Sequence, residues 1–270
     1  MFSVVKSGMD TALQELSVIS NNISNANSTG FKKSSLSFSE FFNGTTAEGV
    51  SSAVTGKGAS ADDARRSDGQ GALIEMGGVL DTAVVGNGYF MTQREDQIGF
   101  SVTRNGAFSL DADGFLKAQD GAFVLGMSAV DGEFVGVGDD VTALQRVQIA
   151  INASEEPLAD LKVGNNGDVL AAFGEGDLVP VATIPLSIFS NPNGLKQLGG
   201  GSYSPTDTAG KMFLGSPNSA GFGNLESGYI EGSNVDITME MTNMIKAQQQ
   251  FSGAAKAMQA NSDMIEKLTR

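Results

Sequence analysis

The sequence predicts an α+β protein: two long terminal helices packed as a coiled-coil-like pair, with a central antiparallel all-β domain between them. Three observations carry this prediction. Apolar residues recur at seven-residue spacing at both ends of the chain, the middle is rich in glycine and turn dipeptides, and the negative charge is confined to that middle.

The first thirty residues set an apolar stripe of Phe2, Val5, Met9, Ala12, Leu16, Ile19, Ile23 and Ala26 against polar faces. Asn21, Asn22, Asn25, Asn27, Ser28, Thr29 and Gly30 then compete with helical hydrogen bonds or permit a left-handed residue, so the helix is expected to end there. Residues 1–42 are read as the N-terminal part of a helical core domain. Residues 43–71 are rich in Gly, Ser, Ala and Thr without a sustained period, and are expected to form an irregular or extended connector.

Residues 72–232 alternate short strands and turns. Leu80–Val85, Tyr89–Thr92, Phe100–Arg104, Ala107–Leu110, Phe115–Ala118, Val147–Ile151, Asp160–Val163, Val169–Phe173 and Val181–Ile188 are expected strands. Gly86-Asn87-Gly88, Asn105-Gly106, Asp113-Gly114 and Asn166-Gly167 supply turns. Residues 190–223 are read as turn chemistry, and Leu225–Glu231 as one last strand. Residues 233–270 complete the helical core, with Ile237, Met241, Met244, Gln248, Phe251, Ala255, Met258, Ser262 and Ile265 on one stripe and Leu268 beside it. Ser233 or Asn234 is expected to cap that helix.

The chain of 270 residues carries a formal charge of −14, yet residues 1–42 and 234–270 are each neutral. All the excess lies in 43–233, as 24 acidic against 10 basic residues. Neutral ends crowd readily against copies of themselves, while an acidic middle stays in solvent and away from nucleic acid.

Chemistry is poorly supplied. There is no Cys and no His, which removes thiolate chemistry, the commonest general base and the commonest metal ligand. Asp111-Ala112-Asp113-Gly114 opens like a calcium loop, but the twelfth position is Ala122, so a hairpin turn is expected instead. Glycine clusters lack a following helix that would hold a phosphate. No catalytic residue, cofactor, metal or small-molecule substrate is expected. The opening residues lack a basic stretch followed by a continuous apolar core, and no run reaches membrane-spanning length, so neither a cleaved signal nor membrane insertion is expected.

Specific runs resemble a known family. Asn21-Asn22-Ile23-Ser24-Asn25-Ala26-Asn27-Ser28-Thr29-Gly30-Phe31-Lys32 looks like the N-terminal motif of bacterial flagellar rod and hook proteins. Glu231 to Asp236, then Glu240 to Ile245 with Gln248, is similar to the matching C-terminal motif. Leu80-Asp81 with Val84, Gly86 to Phe90, Thr103 to Phe108, Asn191 to Leu195 and Gly223 to Gly228 resemble its β-domain segments.

The resemblance implies a structural subunit of the flagellar axial tube, exported by the flagellar type III apparatus and stacked helically with its own copies and neighbouring axial proteins. The paired helices would line the inner layer and the β-domain the outer one. Size favours a rod position, distal rod first, because residues 140–190 leave little room for the extra domain of hook proteins. A proximal rod protein and a compact hook protein stay open, and a monomeric binding module is the reading from another class. The expected assembly interface comprises Phe2, Val5, Met9, Leu16, Ile19, Asn22, Ile23, Asn25, Gly30 and Phe31, together with Asn234, Val235, Ile237, Met241, Met244, Ile245, Phe251, Met258, Ile265 and Leu268.

Overall fold

The computed structural model describes residues 2–40, 58–95, 99–129, 143–149, 158–174 and 176–269. The chain divides into two compact units. One is Met1–Ala26, Lys33–Ser67 and Val235–Arg270; the other is Asn27–Lys32 and Asp68–Asn234.

The first unit is built on α1 (Phe2–Ser24) and α2 (Ile237–Thr269), which pack side by side. Asn22 Nδ2 donates to Glu240 Oε2 at 3.2 Å, so the end of α1 meets the start of α2 and the two run antiparallel. On α1 the predicted stripe turns inward: Ala12 and Ile19 are buried, and Val5, Met9, Leu16 and Ile23 are half-buried.

On α2 the inward face differs from the predicted stripe. Met244, Phe251 and Met258 are withdrawn from water as expected, but their companions are Glu240, Ala247, Ala254 and Asn261. Met241, Gln248 and Ser262 are exposed. Every second position of the stripe moves back by one residue, so the face is turned by about 50°. Asn22 draws the Glu240 carboxylate inward, and small side chains at 247 and 254 let the helices approach closely.

The cap also differs. Asp236 Oδ1 accepts from the backbone N–H of Thr238 at 2.9 Å and of Met239 at 3.1 Å, the geometry of an N-cap residue. Neither Ser233 nor Asn234 is needed for it. Asp236→Ala is expected to cost about 1 kcal/mol of stability, read as a lower midpoint in a thermal melt followed by far-UV circular dichroism.

Short strands complete this unit. Ser34–Ser35 pairs antiparallel with Arg65–Arg66, and Phe38–Glu40 with Ala59–Ala61. The last of these strands lies against α1. Part of the predicted connector is therefore strand, held by backbone pairing that leaves no apolar alternation in the sequence. Residues 43–57 lie outside the described residues.

The second unit is an antiparallel β-domain, as predicted. Its principal sheet runs, from one edge, Leu158–Val163, Asp168–Phe173, Val179–Thr183, Phe123–Ser128, Phe90–Gln93, Ser101–Thr103, Ser202–Ser204 and Lys196–Gly199. Turns across Asp111 to Phe115 and at Asn166-Gly167 close hairpins at the expected places. Two buried clusters form the interior, one around Val84, Phe90, Leu116, Ile149, Ile184 and Leu225, the other around Tyr89, Met91, Val102, Phe189 and Tyr203.

Three local readings change. Thr82–Val85 and Phe90–Gln93 flank Gly86-Asn87-Gly88 without pairing with each other; the first pairs with Asn224–Ser227 and the second with Ser101–Thr103 and Phe123–Ser128. The stretch 190–223 contains the strands Lys196–Gly199, Ser202–Ser204 and Met212–Gly215 besides its turns. Leu225–Glu231 is split at Gly228, whose φ of 82° breaks one strand into Asn224–Ser227 and Tyr229–Glu231.

Candidate assembly surface

The segment that leads out of α1 and the one that leads into α2 are tied together inside the β-domain by a buried carboxylate. Glu231, at the end of its strand, is fully buried. Its Oε1 accepts from Lys32 Nζ at 2.6 Å and from Gly71 N at 2.8 Å, and its Oε2 accepts from Arg104 Nη1 at 3.3 Å. Lys32 Nζ also donates to the Gly69 carbonyl at 3.0 Å, and the Arg104 guanidinium lies 5.0 Å from the centre of the Tyr89 ring. Burial away from water holds the Lys32 ammonium below the usual lysine range, with Glu231 acting in the opposite direction.

Backbone bonds run beside this node. Gly30 N donates to the Glu231 carbonyl at 2.7 Å, Asn234 N to the Phe31 carbonyl at 3.3 Å, and Asn234 Nδ2 to the Gly69 carbonyl at 2.8 Å. Gly30 has φ of 67°, and a Cβ there would stand 2.8 Å from Asn105 N. Gly30→Ala therefore meets both a left-handed backbone and a fixed neighbour. It is expected to cost about 2 kcal/mol, seen as a lower urea midpoint for the full chain.

The node joins residues 127 to 199 positions apart, and sequence reasoning did not assemble it. The available signal was Lys32 and Arg104 standing as the single charges of their motif runs, and Glu231 as one of two in its own.

The expected interface residues fall into three groups, buried, half-buried and exposed. Ile19, Asn22, Gly30 and Phe31 are buried within the chain, and Asn22 spends its amide on Ser34 N, the Ser34 carbonyl and Glu240. Val5, Met9, Leu16, Ile23, Met244, Phe251 and Met258 are half-buried on the inward faces. Asn25, Asn234 and Val235 are also half-buried. Phe2, Ile237, Met241, Ile245, Ile265 and Leu268 are exposed, with Leu268 at 85%.

The structure adds exposed apolar groups that the heptad count passed over: Val4 and Leu13 on α1, Met239 and Met264 on α2, and Leu73, Ile74, Met76 and Val79 on the β-domain. Among the described residues no helix is long and apolar enough to cross a membrane, and no three Asp or Glu side chains gather to hold a metal ion.

Family models and relatives agree with this architecture. Residues 3–32 match the model described as "Flagella basal body rod protein", residues 83–171 "Flagellar hook protein FlgE/F/G D1 domain", and residues 226–270 "Flagellar basal body rod FlgEFG protein C-terminal". The flagellar basal-body rod protein FlgG of Agrobacterium fabrum is 30% identical over 97% of this chain and 95% of its own. That of Bacillus subtilis is 31% identical over 97% and 95%.

The chain belongs to the flagellar basal-body rod and hook protein family. As a member of that family it is a structural component of the flagellum and not an enzyme. Similarity to the family's hook branch is more local: the flagellar hook protein FlgE of Brucella suis is 33% identical over 45% of this chain and 31% of its own. Within this family member, the two terminal matches fall on α1 with its following turn and on α2 with its preceding strand. The ion pair of Lys32 with Glu231 joins the two matched segments, one residue lying in each.

Proposed function

We propose that the chain is a self-assembling subunit of the flagellar axial tube, placed in the rod with the distal rod favoured, and delivered by the flagellar type III export apparatus without a cleaved signal. Its partners are copies of itself and neighbouring axial proteins. The observation that carries the reading is the row of large apolar side chains that both helices hold in water: Phe2 on α1, and Ile237, Met241, Ile245, Ile265 and Leu268 on α2. Burying each is worth roughly 1.5–3 kcal/mol, so a subunit lattice that covers them outweighs the entropy of ordering the helices.

The rod position is supported by full-length similarity to FlgG rod proteins and by only partial similarity to hook proteins. The neutral helices and the acidic middle are consistent with an inner packed layer and an outer solvated one.

The test is deletion of residues 2–30 in the bacterium that encodes the chain. Loss of motility, with basal bodies that end short of the hook, is expected. A truncated chain that still builds motile flagella overturns the proposal.

A further inference from the structure

Glu240 is a buried carboxylate that forms no ion pair among the described residues. It is 5% exposed, and its Oε2 takes one hydrogen bond from Asn22 Nδ2 at 3.2 Å. It lines a pocket of about 180 Å³ inside the helical unit together with Glu15, with Val18, Ile19 and Leu36 as apolar lining and Ser34, Ser35 and Asn243 as polar lining. A charge taken out of water without a counterion is costly unless a partner arrives.

The shape and chemistry suit a lysine: the apolar wall takes the methylene stem, and the two carboxylates take the ammonium. No lysine of the same helical pair fills it. Lys6, Lys246, Lys256 and Lys267 are all exposed, and none forms an ion pair within the chain. The helices are thus electrically neutral in sum while these four lysines go without an ion pair inside one molecule.

One of these lysines stands apart by position. Because Asn22 meets Glu240 and α1 reaches back twenty residues from there to Phe2, α1 covers α2 only to about residue 260 at equal rise per residue. Asn261 is the last residue of α2 withdrawn from solvent. The rest of α2 overhangs, and it presents Lys267 flanked by exposed Met264, Ile265 and Leu268.

We infer that the overhanging end of α2 of a second copy docks on this pocket, with its Lys267 ammonium between Glu15 and Glu240 and its apolar residues over Val18 and Leu36. The contact is head to tail: the donor group sits about 40 Å along α2 from the acceptor carboxylate. A contact between two different patches propagates from copy to copy instead of closing as a dimer. The inference rests on the axial-subunit reading and gives it a specific joint.

The absence of native Cys makes cross-linking a clean test. The full-length chain carrying Ser35→Cys and Leu268→Cys, which leaves every charge of the joint in place, is expressed in the native bacterium and isolated basal bodies are oxidised. A ladder of disulfide-linked multimers is expected from the double variant, and at most dimers from either single variant. Adding Lys267→Glu, on an exposed residue, is expected to reduce the ladder roughly tenfold.

Basal bodies that contain the chain but yield no ladder overturn the joint and leave the axial-subunit reading standing. A ladder that survives Lys267→Glu overturns the ionic pairing. Basal bodies that lack the chain altogether overturn both.

Discussion

Glu231→Gln is expected to lower the stability of the chain by about 3–5 kcal/mol, the largest effect of any single substitution considered. Glu231 is an anion shared by two buried cations, Lys32 at 2.6 Å and Arg104 at 3.3 Å, and it also accepts the Gly71 N–H at 2.8 Å. Glutamine keeps the size and removes the charge. Two cations are then left in the interior, and the amide NH2 is brought against a guanidinium or an ammonium that also only donates.

Breaking one partner of a buried pair is far more costly than the pair's net worth, because the desolvation of the remaining ions is no longer compensated. For a domain of this size the transition is expected to fall by roughly 10 °C. Urea denaturation of the full chain, followed by tyrosine fluorescence and circular dichroism, checks it. A loss under about 1 kcal/mol would show that water enters the node and relieves the cations.

Lys32→Met is expected to be milder. It removes one of the two cations, leaves Glu231 paired with Arg104, and takes out an ammonium that burial already disfavours.

The paired substitution Met241→Asp with Ile245→Asp is expected to abolish assembly while leaving the monomer folded. The two side chains are 55% and 56% exposed and lie one helical turn apart on the outer face of α2. Surface changes of this kind usually alter monomer stability by no more than about 0.5 kcal/mol each. In an assembled tube the same positions would carry buried charge, at a cost of several kcal/mol per unpaired ion.

The readouts separate the two effects. A thermal melt of the purified variant should match the parent within a few degrees, and cells carrying it should be non-motile with no rod that contains the chain. Motile cells would show that this face of α2 stays in solvent and that assembly uses other surfaces.

Sequence and structure contribute differently along the chain. The stripe from Val5 to Ile23 was legible because helical periodicity is a local property: 3.6 residues per turn brings i, i+3 and i+4 to one face whatever lies opposite. The hairpins at Asp113-Gly114 and Asn166-Gly167 were legible for the same reason, since a tight turn is set by the residues within it. The expectation that Phe2, Ile237, Met241 and Ile245 belong to an assembly interface follows from that periodicity combined with apolar excess.

The rotation of α2 was not legible. Counting apolar residues placed Met241 and Gln248 in the seam, whereas Glu240 and Ala247 occupy it. A polar residue enters the seam because Asn22, 218 positions away, offers it a hydrogen bond, and no rule of period contains that fact. The strand after Leu80 shows the same limit. Its conformation was read correctly, but its partner, Asn224–Ser227, lies about 140 residues downstream and not across the adjacent turn.

By itself, then, the sequence determined where the two helices and the strands between Leu80 and Ile188 form, which end residues are apolar and neutral, and that catalytic side chains are scarce. These depend on backbone propensity, side-chain period and composition, all local or additive. Tertiary structure alone decided that Lys32, Arg104 and Glu231 share one buried site, that Glu240 and Glu15 line one pocket, and that α2 outruns α1. Each of these depends on distances between residues far apart in the chain, and only the packed fold sets such distances.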